Sequence, residues 1–179
     1  MVNEAELLAD EVGGSQLSLA TIASRLGVQV PSLYKHVAGL PALRSLIEAR
    51  AKAELAEVLG RSAVGVSADD AVDALAAAYR AWAKKHPGRY EFTLRAPDPD
   101  DAASLDASDR AVRVMYDALA GYGLTGDDAV DATRSFRAAL HGFVALEAAG
   151  GFGLPRDVDR SFERLVGALK LSLTEWSRL

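Results

Sequence analysis

The sequence predicts an all-α protein of about nine helices. Apolar residues recur at intervals of three and four along most of its 179 residues. Glycines and prolines interrupt these runs at distances that suit globular helices. No stretch alternates apolar and polar residues as a half-buried strand would, and no segment repeats at a fixed period. Half of the residues are hydrophobic, enough for one good core or for a small module beside a larger one.

The elements follow in order. Asn3–Val12 reads as a short amphipathic helix with Leu7, Leu8 and Val12 inward, ended by Gly13 and Gly14. Ser18 is placed to cap the next helix, with Leu17 and Ile22 at the two positions of a hydrophobic staple. That helix runs through Ala23 and Leu26 and stops at Gly27. A second short helix carries Pro31 in its first turn, turns Leu33 and Val37 inward, and ends at Gly39. A longer helix covers Pro41–Leu59 with Leu43, Leu46, Ile47, Leu55 and Val58 on its apolar side, and Gly60–Gly65 reads as a hinge. Beyond it, Val72, Leu75, Tyr79, Trp82 and His86 form one stripe, broken at Pro87-Gly88, and Pro97-Asp98-Pro99 marks a loop. Leu105, Val112, Met115, Leu119 and Tyr122 form a second stripe, and Val130, Phe136, Leu140, Phe143 and Val144 a third, closed by Gly150-Gly151. Val158, Phe162, Leu165, Leu169, Leu173 and Trp176 alternate by four and three, the spacing of a seam between helices. The expected division is residues 1–40 as a small first module, 41–60 as a linking helix and 61–179 as a larger second domain.

Composition narrows the function. Without cysteine there is no disulfide or thiolate metal site. No run reaches the roughly 20 apolar residues of a membrane span, and the acidic N-terminus is not a signal peptide, so a cytoplasmic protein is expected. The net charge of −5 is unevenly spread. Between Leu17 and Lys52 stand Arg25, Lys35, Arg44, Arg50 and Lys52 against Glu48 alone, which suggests local attraction to phosphate.

A helix-turn-helix needs a small residue where two helices cross, a glycine at the turn and apolar residues holding the second helix. Ala23, Gly27, Val28 and Leu33 meet those needs. Lys35 and Tyr34 suit phosphates, Gln29 and Ser32 suit base edges, and Val30 or Pro31 suits a thymine methyl. The run Ser18–Val37, with its Leu26-Gly27-Val28 and Leu33-Tyr34-Lys35-His36 core, resembles the signature of the tetracycline-repressor (TetR) family of bacterial regulators. The resemblance implies a homodimer whose first three helices bind an operator. The fourth helix links, and the remaining helices form a small-molecule pocket and a four-helix dimer interface. It assigns Thr21, Gln29, Val30, Ser32, Tyr34, Lys35 and His36 to the DNA-facing surface. Two departures stand out: Leu40 occupies a position where relatives often carry lysine, and the chain opens Met-Val-Asn-Glu-Ala-Glu where relatives often have a basic arm. Leu140–Glu147 is similar to a C-terminal domain type of the family with Trp-His-Gly elements, although Phe136 and Arg137 lie where a tryptophan is expected.

The implied pocket draws on Tyr79, Trp82, His86, Tyr90, Phe92, Met115 and Tyr122, each of which could equally be a core residue. His86 could instead be a charge at a helix C-terminus. The expected dimer seam is Phe136, Leu140, Phe143, Val144, Phe162, Leu165, Leu169 and Leu173, with Gly142 allowing close approach. His141 and Glu147 do not share a helical face, and Asp98, Asp100, Asp101 and Asp106 read as caps rather than as a cation loop. No metal, cofactor or membrane partner is expected, and the effector is expected to be small and largely apolar. Two other readings remain: a helical partner-binding module with weakened DNA binding, and a small helical enzyme acting on a lipophilic substrate. The three scattered histidines and the lack of a nucleophile motif speak against the enzyme.

Overall fold

The computed structural model describes residues 1–176, and within them it contains nine α-helices, one 3-10 turn and no strand. The helices are α1 (Val2–Val12), α2 (Leu19–Leu26), α3 (Val30–Leu33), α4 (Leu40–Ser62), α5 (Ala68–Lys85), α6 (Pro87–Phe92), α7 (Ala102–Ala120), α8 (Gly126–Ala148) and α9 (Val158–Thr174), with the 3-10 turn at Gly14–Gln16. Gly60 lies inside α4 rather than opening a hinge, because the helix continues to Ser62. Pro87 does not merely break a run. It stands in the first turn of α6, where its missing N–H costs nothing.

Contacts group the chain into two compact units, one made of Met1–Ala56 and Lys85–Arg110, the other of Glu57–Lys84 and the residues from Ala111 onward. The first unit is therefore not coextensive with residues 1–40: α6 and the start of α7 fold into it. Its core is Ala5, Leu8, Ala9, Leu17, Ile22, Ala23, Leu33, Val37, Leu43 and Ile47, with Phe92 packed against it. On α1 the buried face is Ala5, Leu8 and Ala9, whereas Leu7, 49% exposed, and Val12 look outward. The small residues face inward because α6 comes very close. A Cβ on Gly88 would lie 1.8 Å from the Ala9 carbonyl oxygen. Gly88→Ala is accordingly expected to cost about 2–3 kcal/mol, the upper part of the range for overpacking. Chemical denaturation of the full chain measures it.

Charged side chains complete that junction. Asp10 at the end of α1 accepts from the backbone N–H of Arg89 and from its Nε, both at 2.8 Å, and Arg89 Nη1 reaches Glu54 of α4 at 2.7 Å. His86 directly follows the last residue of α5 and is the N-cap residue of α6, in contact with Asp10 and Arg89. On α4, Leu43, Ile47, Ala51 and Leu55 are buried, while Leu46 is exposed. Lys52 is buried too, with its Nζ on Glu48 at 2.6 Å and on the Ser104 hydroxyl at 3.2 Å. Asp101 accepts from the backbone N–H groups of Ala103 and Ser104, so it caps the first turn of α7.

The second unit buries Val72, Leu75, Ala76, Tyr79 and Trp82 of α5, Met115 and Leu119 of α7, Phe136, Leu140 and Val144 of α8, and Phe162, Val166 and Leu173 of α9. Three helices meet at one ion cluster. Arg80 of α5 grips Glu147 of α8 through Nε at 2.8 Å and Nη2 at 2.6 Å, and Nη2 also reaches Asp159 of α9 at 2.7 Å. Its guanidinium lies 4.6 Å from the ring centre of Phe162 and 5.5 Å from that of Phe143, and Lys84 adds a second cation on Glu147 at 2.7 Å.

Candidate nucleic-acid interface

The interface is built by local chemistry. Ser18 takes an extended conformation and its hydroxyl accepts from the Thr21 N–H at 3.1 Å, while the Thr21 hydroxyl accepts from the Ser18 N–H at 3.1 Å. This reciprocal box satisfies two of the otherwise orphaned donors at the start of α2. Gly27 ends α2 at φ 67°, in the left-handed region, and Val28 N–H returns to the Ala23 carbonyl at 3.0 Å. Gln29 then caps α3, with Pro31 in its first turn. Regular α-helix lasts only through Leu33, and Tyr34, Lys35 and His36 follow in turns closed by His36 N–H on the Leu33 carbonyl at 2.9 Å.

Of the predicted DNA-facing residues, Thr21, Gln29, Tyr34, Lys35 and His36 are exposed, with Tyr34 at 60%. Val30 is partly buried and packs against the core of the unit, so it serves as a holding residue as much as a contact. Ser32 is half-buried. The Thr21 hydroxyl is already engaged by Ser18, which leaves it with reduced capacity for an outside partner.

The electrostatics differ from the linear charge count. Arg25 is held by Glu11 through a two-pronged pair at 2.5 and 2.6 Å, with Glu4 at 3.8 Å, and its guanidinium keeps the Glu11 carboxyl below the ordinary carboxylate range. Arg50 pairs with Glu6 at 2.8 Å, and burial pushes the Glu6 carboxyl up despite that pairing. Lys52 pairs with Glu48, and Arg44 donates to backbone carbonyls. Four of the five cations between Leu17 and Lys52 are thus used inside the unit. Lys35 is the one of the five for which the described residues supply no partner. The sequence count missed this because the neutralising acids, Glu4, Glu6 and Glu11, lie before Leu17.

The predicted pocket residues fall into both units. His86, Tyr90 and Phe92 belong to the first. Tyr90 is buried, and Phe92 lines a groove of about 740 Å³ with Leu40, Pro41, Arg44 and Arg95. Tyr79, Trp82, Met115 and Tyr122 belong to the second, the first three of them buried. The Tyr122 hydroxyl donates to Asp69 at 2.5 Å, and burial together with that carboxylate raises its pKa well above the ordinary value for tyrosine. Sequence reasoning passed over Thr133 of α8, whose buried hydroxyl has no hydrogen-bond partner among the described residues. A threonine inside a helix carries no sequence signal of that kind.

The residues of the expected dimer seam divide by burial within the chain. Phe136, Leu140, Val144, Phe162 and Leu173 are buried inside their own unit, and Phe143, Leu165 and Leu169 are half-buried. Phe143 packs on Phe152 and Phe162, with ring centres 4.7 and 5.1 Å apart. The outward faces are different: Ala138, Gly142, Ala145 and Leu146 on α8, and Ala168 and Leu171 on α9, with Leu146 at 52% and Leu171 at 72% exposure. Periodicity marks the buried stripe of a helix without saying whether the same chain or a second copy covers it.

Comparison with known proteins agrees with this architecture. Residues 72–169 match the tetracyclin repressor-like C-terminal domain family. The chain is similar to the uncharacterized HTH-type transcriptional regulator Rv0681 of Mycobacterium tuberculosis, at 38% identity over 151 residues, covering 84% of this chain and 69% of that protein. It is also similar to the uncharacterized HTH-type transcriptional regulator YobS of Bacillus subtilis, at 33% identity over 159 residues, 88% of this chain and 82% of that one. Among solved structures, the regulatory protein SCO4313 superposes with a TM-score of 0.75 at 28% identity, covering 94% of this chain and 92% of the other. A single-substitution variant of the TetR of Acinetobacter baumannii AYE, solved in complex with minocycline, shares the fold with a TM-score of 0.69 at 23% identity, over 99% and 94% of the two chains. With a helix-turn-helix at Leu19–Leu33 and a matching C-terminal domain, the chain belongs to the TetR family of helix-turn-helix transcriptional regulators.

Proposed function

We propose that this regulator is a ligand-responsive repressor that binds a palindromic operator as a homodimer and is released by a small, largely apolar effector. The observation that carries the DNA-binding part is the exposed set Gln29, Tyr34, Lys35 and His36, held outward by the capped turn between α2 and α3. Lys35 and the Tyr34 hydroxyl take phosphates, while Gln29 reads a base edge. Two such surfaces, one turn of duplex apart at roughly 34–36 Å, read adjacent half-sites. The second copy docks on the small outward residues Ala138, Gly142, Ala145 and Ala168, with Leu146 and Leu171 as its apolar anchors. In the second unit the unpartnered Thr133 hydroxyl is a ready anchor for an effector oxygen or nitrogen. The minocycline complex of the Acinetobacter baumannii relative supports a small-molecule effector. Release follows when the effector binds more tightly to the DNA-incompetent state. The roles proposed are binding roles, with no catalytic step.

The charge analysis makes the salt response the sharpest test. With Lys35 the main free cation of each half-site, about two to four phosphates are neutralised per dimer, so log K against log salt has a slope of about −2 to −4. Fluorescence anisotropy on a duplex selected by the protein from a random pool, between 50 and 200 mM salt, measures it on the order of those concentrations. A slope steeper than about −6 would mean that most contacts lie elsewhere, and failure to select any duplex at low salt would sink the DNA-binding reading.

A further inference from the structure

Arg44 lies on α4, outside the helix-turn-helix, yet its contacts bear on where that motif begins. Its Nη2 donates to the Gly14 carbonyl at 3.1 Å and lies 3.4 and 3.5 Å from those of Ser15 and Leu17. These three carbonyls belong to the segment that joins α1 to α2, and Leu17 directly precedes Ser18, the N-cap of α2. The other side of the guanidinium is covered by Phe92 of α6, with the ring centre 6.0 Å away. Phe92 and Glu91 also stand directly over Gly14, where a Cβ would come within 2.8 and 2.9 Å of them. Arg44, Gly14 and the end of α6 therefore form one close-packed layer behind the start of α2.

We propose that Arg44 is a positioning residue for DNA recognition: it fixes the start of α2, and through the Gly27 turn the orientation of Tyr34 and Lys35, only while α6 is docked beside it. This rests on the DNA-binding reading above. All three contacts run through the single Nη2, whose two hydrogens are shared among the three carbonyls. Arg44 directs these donors at backbone oxygens of its own chain rather than at phosphate. Its loss thus lowers affinity by misplacing the recognition surface, without removing a counterion-releasing contact.

The full chain, wild type against Arg44→Met, Arg44→Lys and Phe92→Leu, is titrated on the duplex that the wild type selects from a random pool. Arg44→Met is expected to weaken binding by about tenfold or more, or about 1.4 kcal/mol, with the salt slope unchanged. Arg44→Lys recovers part of the loss, and Phe92→Leu gives a smaller loss with the same slope. Equal affinity for Arg44→Met and wild type overturns the proposal. So does a slope shallower by about one per half-site, because that marks a direct phosphate contact. If Arg44→Met loses helicity by circular dichroism, the lysine and leucine variants decide. Wild-type affinity or a shallower slope in both overturns the proposal, and weakened binding at an unchanged slope supports it. A wild-type protein that selects no duplex overturns the DNA-binding reading and this one together, whereas selection with unaffected variants overturns this one alone.

Discussion

Replacing Tyr34 and Lys35 together by alanine is expected to lower operator affinity on the order of 100-fold while leaving the oligomeric state and thermal stability of the protein unchanged. Both side chains are exposed, and neither is needed for the core that holds α3, which rests on Leu33 and Val37. The effect is large for a two-residue change because so few cations remain available. Arg25, Arg44, Arg50 and Lys52 are occupied within the unit, so the loss of Lys35 removes most of the phosphate attraction in each half-site. Equilibrium sedimentation and a gel-retardation series at fixed salt separate the outcomes. A double variant that binds like wild type would move recognition off this surface. A variant that binds no DNA and no longer self-associates would make these residues structural.

Breaking the Arg80–Glu147 pair is expected to be the most costly single change to stability. Arg80→Met keeps much of the side-chain volume but leaves Glu147, largely shielded from water, facing only the exposed Lys84. Removing one partner of such a pair costs about 3 kcal/mol, the low end for buried pairs because solvent still reaches this one. The midpoint of thermal unfolding should fall by about 6–12 °C. The same cluster sets an acid limit. Hydrogen bonds from Arg80, then those from Lys84, hold the Glu147 pKa at about 2, below the ordinary 4.5. A carboxyl depressed in the folded state contributes stability that is complete above the unfolded value and is lost as pH falls through the folded one. Stability is therefore expected to decline from about pH 4.5 towards pH 2, by up to about 3 kcal/mol from this group. In Glu147→Gln that part of the decline should disappear, which urea unfolding at pH 6, 4 and 3 (each taken about to the nearest unit) would reveal as a flatter profile.

What could be read in the sequence was what neighbours along the chain decide. Ser18 capping α2, Gly27 in the left-handed turn and Pro31 in the first turn of α3 act over a few residues, and each occupies the place its chemistry predicts. The apolar stripes placed the long helices for the same reason. The α6 helix escaped because six residues opened by Pro87-Gly88 give too short a period to register, and the packing of Gly88 on Ala9 creates it. On α8 and α9 the sequence showed only the buried stripe. Phe136, Leu140 and Phe162 form a clear stripe, but their own chain covers it, and the surface left outward is the quieter row of alanines and glycine.

By itself the sequence determined an all-helical regulator with a helix-turn-helix at residues 17–36, because caps, turns and helical periods are local. Only the tertiary structure decided how much charge that motif has left to offer. Arg25 meets Glu11 across 14 positions, Arg50 meets Glu6 across 44 and Arg80 meets Glu147 across 67. Such pairings depend on how helices pack, and no spacing in the chain announces them. Packing of the first unit pairs Arg25, Arg50 and Lys52 with its own acids and leaves Lys35 and Tyr34 exposed.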